Sequence, residues 1–213
     1  MKLFRHRVAI TALALAAAIP GSALAQRSDS YTWKLGLNVG AMAFQTVGQP
    51  NTTIVPSVGA HALIMAHRGG LLFGFDEGVG TNEHATGNVL FNDIRRYQAV
   101  LMAFPITGAI EPYFGVGTGI LQIVGPRVDR TLVPDPSQQQ SVLADARERS
   151  STGFLTVLAG VQGRWKRFTV FAQYQAATSP SDDKLLQSST QTILGGIRIG
   201  LGPAREGIVA GGN

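Results

Sequence analysis

The chain has 213 residues, of which 45% are hydrophobic and only 15% charged, with 26 glycines, no cysteine and a formal net charge of +5. The apolar share excludes a disordered chain, and the absence of cysteine excludes a disulfide framework, a thiolate metal site and a cysteine nucleophile. Beyond the opening leader no apolar run approaches the roughly 18–20 residues of a membrane helix, so the chain does not read as a helical membrane protein.

The chain opens on a leader pattern. Lys2, Arg5 and Arg7 precede an apolar stretch over residues 8–19, and the small-residue sequence Ala23-Leu24-Ala25 follows Pro20 and Gly21. A basic n-region, a short h-region and an A-x-A cleavage site make residues 1–25 a cleavable signal peptide, with Gln26 as the new N-terminus. A retained anchor is the alternative, but the h-region is short for a membrane span. Cleavage removes three of the 18 basic residues and none of the 13 acidic ones. The nearly balanced remainder gives no basis for nucleic-acid binding.

From Tyr31 onward the dominant period is two, the signature of strands with two different faces. Residues 31–44 place Tyr31, Trp33, Leu35, Leu37, Val39 and Ala41 on one face and Thr32, Lys34, Gly36, Asn38 and Gly40 on the other. Residues 52–66, 70–78 and 93–104 alternate less cleanly, but each has strand length and is bounded by turn residues. Residues 110–123 set Phe114, Val116, Thr118 and Ile120 opposite Gly115, Gly117 and Gly119. Residues 152–165 align Leu155, Val157, Ala159, Val161 and Trp165 on one side. Residues 168–176 oppose Phe168, Val170, Ala172 and Tyr174 to Thr169, Phe171, Gln173 and Gln175. The last segment, residues 190–202, opposes Ile193, Ile197, Ile199 and Leu201 to Thr192, Gly196, Arg198 and Gly200.

The connections alternate in length. Residues 67–69, 105–109 and 166–167 make short turns, whereas 45–51, 79–92, 124–151 and 177–189 form longer loops. Short turns at one end and long loops at the other describe an all-β fold, an eight-stranded antiparallel up-and-down transmembrane β-barrel. A soluble barrel would also alternate, with its apolar face inward. Here the less apolar face is Gly, Thr, Ser, Asn and Gln, which suits the cramped lumen of an eight-stranded barrel better than a solvated exterior. Tyr31, Trp33, Phe104, Tyr113, Trp165 and Phe168 gather at the short-turn end. Phe44, Phe91, Tyr97 and Tyr174 gather nearer the long loops, so two aromatic girdles are expected around an outward apolar band.

The leader end Ala23-Leu24-Ala25, the strand opening Glu111-Pro112-Tyr113-Phe114-Gly115-Val116-Gly117 and the last strand Leu194–Leu201 together carry a resemblance. The chain resembles the small outer-membrane β-barrel proteins of Gram-negative bacteria, the OmpA-like and OmpX-like eight-stranded barrels. Gly196, Ile199 and Leu201 fall at the spacing of that family's C-terminal assembly signal, although Leu201 stands where the family usually carries an aromatic residue. The resemblance implies residence in the outer membrane among lipid and lipopolysaccharide, and delivery by the outer-membrane assembly machinery. The organisation expected is a signal peptide over residues 1–25, a barrel over 26–202 and a short tail over 203–213.

Chemistry is sparse. His6 leaves with the leader, His67 lies in a turn and His84 in a long loop. Ser57 and His61 are four residues apart on one strand, about 13 Å at 3.3 Å per residue, too far for a nucleophile–base pair. Gly115, Gly117 and Gly119 lack the βαβ frame of a nucleotide loop and read as one face of a crowded strand. No cofactor or metal motif is visible. Asp76, Glu77, Glu111, Lys34, Arg96 and Arg198 are candidate lumen charges, and by parity Lys34, Asp76 and Arg198 face the polar side. Charges in a narrow lumen must be paired, so salt-bridged plugs are expected there. The long loop over 124–151 carries Arg127, Arg130, Arg147 and Arg149, with room for a short helix over 141–149. Loops of this length are usually functional or disordered, and arginines suit phosphate or carboxylate contacts. The expected function is therefore a non-enzymatic structural or surface-interaction role through the extracellular loops, with an external protein or surface as partner. The alternative is a narrow OmpW-like channel for small hydrophobic molecules, with Leu63, Met65 and Phe171 as its apolar lumen patch.

Overall fold

The computed structural model describes residues 31–46, 49–178 and 184–201. The expected signal peptide, residues 26–30 and the expected tail over 203–213 lie outside the described residues. Eight long strands form the wall: β1 (Thr32–Thr46), β2 (Gln49–Ala66), β3 (Gly69–Thr86), β4 (Val89–Ala103), β5 (Ile110–Val124), β7 (Ser151–Trp165), β8 (Phe168–Ala177) and β9 (Leu186–Gly200). A two-residue strand, β6 (Arg127–Val128), and a helix, α1 (Pro136–Arg149), occupy the long connection between β5 and β7. Each long strand pairs antiparallel with its neighbours, and β1 pairs with β9 from Lys34↔Gly200 to Thr46↔Leu186, which closes the barrel.

The period-two pattern dictates which face is which. On β1, Trp33, Leu35, Leu37 and Val39 are exposed while Lys34, Gly36, Asn38, Met42 and Phe44 are buried. The same split runs round the wall, so the aliphatic face points outward and the small or polar face fills the lumen. Outward apolar side chains on β1 run from Trp33 to Ala43. That is about 33 Å along the strand, or about 25 Å once a barrel tilt of roughly 40° is applied. An apolar belt of that height matches the hydrocarbon band that outer-membrane barrels present. The ion pair Arg95–Glu77 (2.8 Å) sits on the outer face at the upper edge of the belt.

Two expectations are corrected. Residues 79–92 are not a loop: β3 and β4 continue past the belt as a hairpin, with Thr86 opposite Val89 and Gly87 at φ +59 in the turn. The alternation is lost there because the register shifts between Val79 and His84, and Asp93 Oδ1 accepts the Gly80 amide within the irregularity. Likewise β1 and β2 extend to Thr46 and Gln49, so the connection over 45–51 is shorter than expected. The second correction concerns the girdles. Phe104, Tyr113, Phe44 and Phe91 are buried in the lumen, and the outer aromatics are Tyr31, Trp33, Phe73, Phe114, Trp165 and Phe168 below, with Phe75, Tyr97 and Tyr174 above.

Candidate functional site

The lumen is built in layers. At the short-turn end, Leu63, Leu72, Val100, Met102, Phe104, Tyr113, Leu158 and Phe171 form one apolar layer, with Met65 packed against it. At the long-loop end, Met42, Phe44, Phe91, Ile94, Ile123 and Phe154 form another, which reaches up to Ala146 of α1. Between and among these layers lie hydrogen-bonded charges.

Arg198 organises the lower polar group. Its Nε donates to His61 Nε2 at 2.8 Å, its Nη1 donates to Gln162 Oε1 at 2.7 Å, and its guanidinium lies 3.9 Å over the Phe171 ring. His61 Nδ1 lies 3.5 Å from Asn38 Nδ2. Gln162 in turn donates to Glu111 Oε2 at 2.7 Å, and Arg164 closes on Glu111 Oε1 at 3.1 Å. Lys34 Nζ reaches Thr169 Oγ1 at 3.4 Å.

Asp76 organises the upper group. Its Oδ2 accepts from Arg96 Nη2 at 2.9 Å, from Arg96 Nε at 3.2 Å and from Gln98 Nε2 at 3.2 Å. Arg96 Nη1 donates onward to Thr192 Oγ1 at 2.8 Å, and Gln175 bridges Gln98 to Thr156 Oγ1. Of the three residues that parity placed on the polar face, Lys34 is 6% exposed, Asp76 1% and Arg198 0%. They do not converge on one point: Asp76 belongs to the upper group, Arg198 to the lower, and Lys34 stands by Thr169. Arg96 and Glu111 are also inside, whereas Glu77 faces outward against Arg95. Parity on β4 would have found Arg96 and Gln98, because both share the phase of Ile94, Val100 and Met102. Ser57 and His61 share the lumen side of β2, but the His61 ring is engaged by Arg198.

The long-loop end carries the second arrangement. Gly125, at φ +58, turns the chain so that β6 adds to the β4 extension, pairing Arg127 with Leu90 and Val128 with Val89. Arg127 pairs with Glu83 at 3.0 Å and also bonds Asn92. Asp129 accepts the Thr131 hydroxyl at 2.6 Å and its amide at 2.9 Å, and these bonds hold its carboxyl below the usual range. Asp135 caps α1 in the same manner, accepting from Ser137 Oγ at 2.8 Å and Ser137 N at 2.9 Å, with Pro136 opening the helix. The helix is therefore longer than the expected 141–149. Its single buried residue, Ala146, sits on the upper apolar layer.

This construction brings Arg127, Arg130 and Arg147 to the lining of one cleft of about 930 Å³, together with Gln139, Gln140 and Thr131. Arg130 and Arg147 are exposed, and neither side chain has an acidic partner among the described residues. Arg149 is not in this cleft. It pairs with Asp145 at 3.3 Å on the same helix and lines a neighbouring depression with Val142 and Leu185.

No protein-family model matches the chain. No curated protein sequence matches it either. In structure the chain is similar to Neisserial surface protein A (NspA), with a TM-score of 0.59 and 10% identity over 78% of this chain and 96% of that one. It is also similar to the N-terminal β-barrel domain of Pseudomonas aeruginosa OprF, with a TM-score of 0.46 and 9% identity over 78% of this chain and 96% of that one. A third similar structure is Ail, the attachment invasion locus protein of Yersinia pestis, in complex with the heparin analogue sucrose octasulfate (TM-score 0.44, 13% identity, 79% and 99% covered). The likeness to the first gives the chain the fold of an eight-stranded outer-membrane β-barrel. Fold and outward apolar belt together put it in the outer membrane.

Proposed function

We propose that the protein is a non-enzymatic outer-membrane barrel that engages an anionic partner at the extracellular rim, and that the arginine-lined cleft carries this contact. The carrying observation is the convergence of Arg130 and Arg147, without an acidic partner among the described residues, on one cleft whose two carboxylates, Glu83 and Asp129, are taken up by Arg127 and Thr131. Arginine forks suit phosphate esters, and a charge-assisted bond contributes about 1.5–3 kcal/mol. Lipopolysaccharide phosphate is the nearest source of such groups. Against the alternative of a narrow channel for hydrophobic molecules stand the filled layers: Leu63, Met65 and Phe171 pack with one another and with Tyr113 and Phe104.

The test is binding of lipopolysaccharide by the refolded protein, in its native and dephosphorylated forms, by calorimetry. Arg130→Gln with Arg147→Gln is expected to weaken binding of the phosphorylated form by about tenfold or more, at roughly 1.4 kcal/mol per decade. The same variant leaves the dephosphorylated form unchanged. Equal affinities for both forms by wild-type protein would overturn the reading.

A further inference from the structure

The outer wall is not uniformly thick. Across four neighbouring strands two rungs of outward side chains lie in register: Ile199, Leu35, Ala62 and Phe73, and above them Ile197, Leu37, Ala60 and Phe75. Strand β2 contributes only alanine to both rungs, between leucines on β1 and phenylalanines on β3. The result is an apolar notch of about 620 Å³ in the lipid-facing wall. It lies in the half of the belt nearest the short turns, and Leu201 also lines it.

The foot of the notch is basic. The β2–β3 turn holds His67 and Arg68, and the β7–β8 turn holds Lys166 and Arg167. The second turn is tied to the end of β9, because Arg167 O accepts the Gly200 amide at 3.0 Å. Basic side chains thus flank the notch on both sides, Arg68 below β3 and Arg167 beside β9. Arg68, Lys166 and Arg167 are exposed, and none has an acidic partner among the described residues. The one acid at this end among the described residues, Glu111, is buried and committed to Gln162 and Arg164.

Depth matches as well as charge. The chain reverses at His67–Arg68, with Ala66 opposite Gly69, so Ala62 and Ala60 lie four and six residues from the end of β2, about 13 and 20 Å along the strand and about 10 and 15 Å along the bilayer normal at a roughly 40° tilt. Half of an apolar belt of about 25 Å is about 12–13 Å. A lipid with its headgroup at the Arg68–Arg167 level therefore places the far part of an acyl chain at Ala60 and Ala62.

We propose that this notch and its basic foot form a binding site for an anionic glycerophospholipid of the periplasmic leaflet. The arginines take the phosphate headgroup, and one acyl chain fills the space that Ala60 and Ala62 leave between Leu35, Leu37, Phe73 and Phe75. The site rests on the membrane-spanning fold and is independent of the extracellular cleft.

Trp33 reports on it directly, since it lies on the rung below Leu35 and its carbonyl accepts the Leu201 amide at 2.8 Å. The chain holds two tryptophans, so Trp165→Phe leaves Trp33 as the sole emitter. That variant is refolded into phosphatidylcholine vesicles containing a minor share of brominated-chain lipid, either phosphatidylglycerol or phosphatidylcholine. A nearby basic residue enriches an anionic headgroup about fivefold, so brominated phosphatidylglycerol is expected to quench Trp33 several-fold more per mole. Arg68→Gln with Arg167→Gln should bring the two lipids to equal quenching, and Ala60→Leu with Ala62→Leu should also remove the excess. Equal quenching in the parent chain means bulk lipid only and overturns the site. An excess that survives filling of the notch means that the turns attract lipid without seating a chain, which overturns it equally. Efficient disulfide formation between Ala62→Cys chains in the vesicle would place a second copy on the notch and would also refute the proposal.

Discussion

Replacing Arg96 with methionine strands the Asp76 carboxylate inside the barrel. Arg96 is 0% exposed and Asp76 1%, and the arginine supplies two of the three hydrogen bonds that reach Asp76 Oδ2, at 2.9 and 3.2 Å. Only Gln98, at 3.2 Å, would remain. Removing one member of a buried pair costs about 3–5 kcal/mol, because the survivor keeps its desolvation penalty without its partner. Removing both members leaves no charge to desolvate. Arg96→Met with Asp76→Leu loses chiefly the bond to Thr192 Oγ1, about 1–3 kcal/mol, since Gln98 still has Gln175. The double variant is therefore expected to be about 2 kcal/mol more stable than either Arg96→Met or Asp76→Leu alone, and far more stable than the sum of the two singles would make it. Urea unfolding of protein refolded into vesicles, followed by tryptophan fluorescence, measures all three. A loss below about 1 kcal/mol for Arg96→Met, or a double variant as unstable as the sum of the singles, would refute the claim that this pair is dry and mutually dependent.

Two further outcomes follow from the extracellular end. Ala146→Glu forces a carboxylate into the upper apolar layer, so α1 is expected to lift and the 125–135 segment to become readily cleaved by trypsin. The heat-induced gel shift of the barrel should persist, and unchanged cleavage would show that the helix is not held by this contact. His84 lies beyond the belt between the rings of Phe44 and Phe91, both at 5.7 Å, and burial lowers its pKa from 6.5. A folded pKa below the unfolded one means that the unfolded chain binds the extra proton. Stability from this group is complete above about pH 7 and declines as pH falls through 6.5. Amide exchange in the β3–β4 hairpin should therefore quicken at pH 5 relative to pH 8, and His84→Phe should flatten that difference; an unaltered difference in the variant would assign it to another group.

Much of this architecture is written in parity. Leu35, Leu37 and Val39 against Lys34, Gly36 and Asn38 is a pattern that only a two-faced strand accommodates, and it recurs often enough to count eight strands. The polar face is small for a physical reason: Gly36 lies under the His61 ring and the Arg198 stem, and Gly160 lies under Tyr113, so no side chain fits at either position. What was hidden depended on pairing across the barrel. Nothing local to Asp76 reveals Arg96, twenty residues on, as its partner, nor Glu111 as the partner of Gln162 and Arg164. Aromatics were misplaced because ring count near a strand end says nothing about phase; Phe104 and Tyr113 have the lumen parity of Met102 and Gly115. The β3–β4 extension is not legible because polar residues and a register shift between Val79 and His84 mask the alternation. The start of α1 was legible in principle, since Asp135-Pro136-Ser137 carries both a cap and a first-turn proline.

The central claim, a closed barrel with its aliphatic face in lipid, is tested most directly by heat-modifiability of the full-length chain in cell envelopes. The account predicts a band that fractionates with the outer membrane and changes gel mobility on boiling, because the unboiled barrel stays folded in detergent. A protein that remains soluble in the periplasm, with no shift on boiling, would contradict it and would turn the exposed belt of Leu37, Val39, Leu101 and Val116 into a surface with no solvent to suit it.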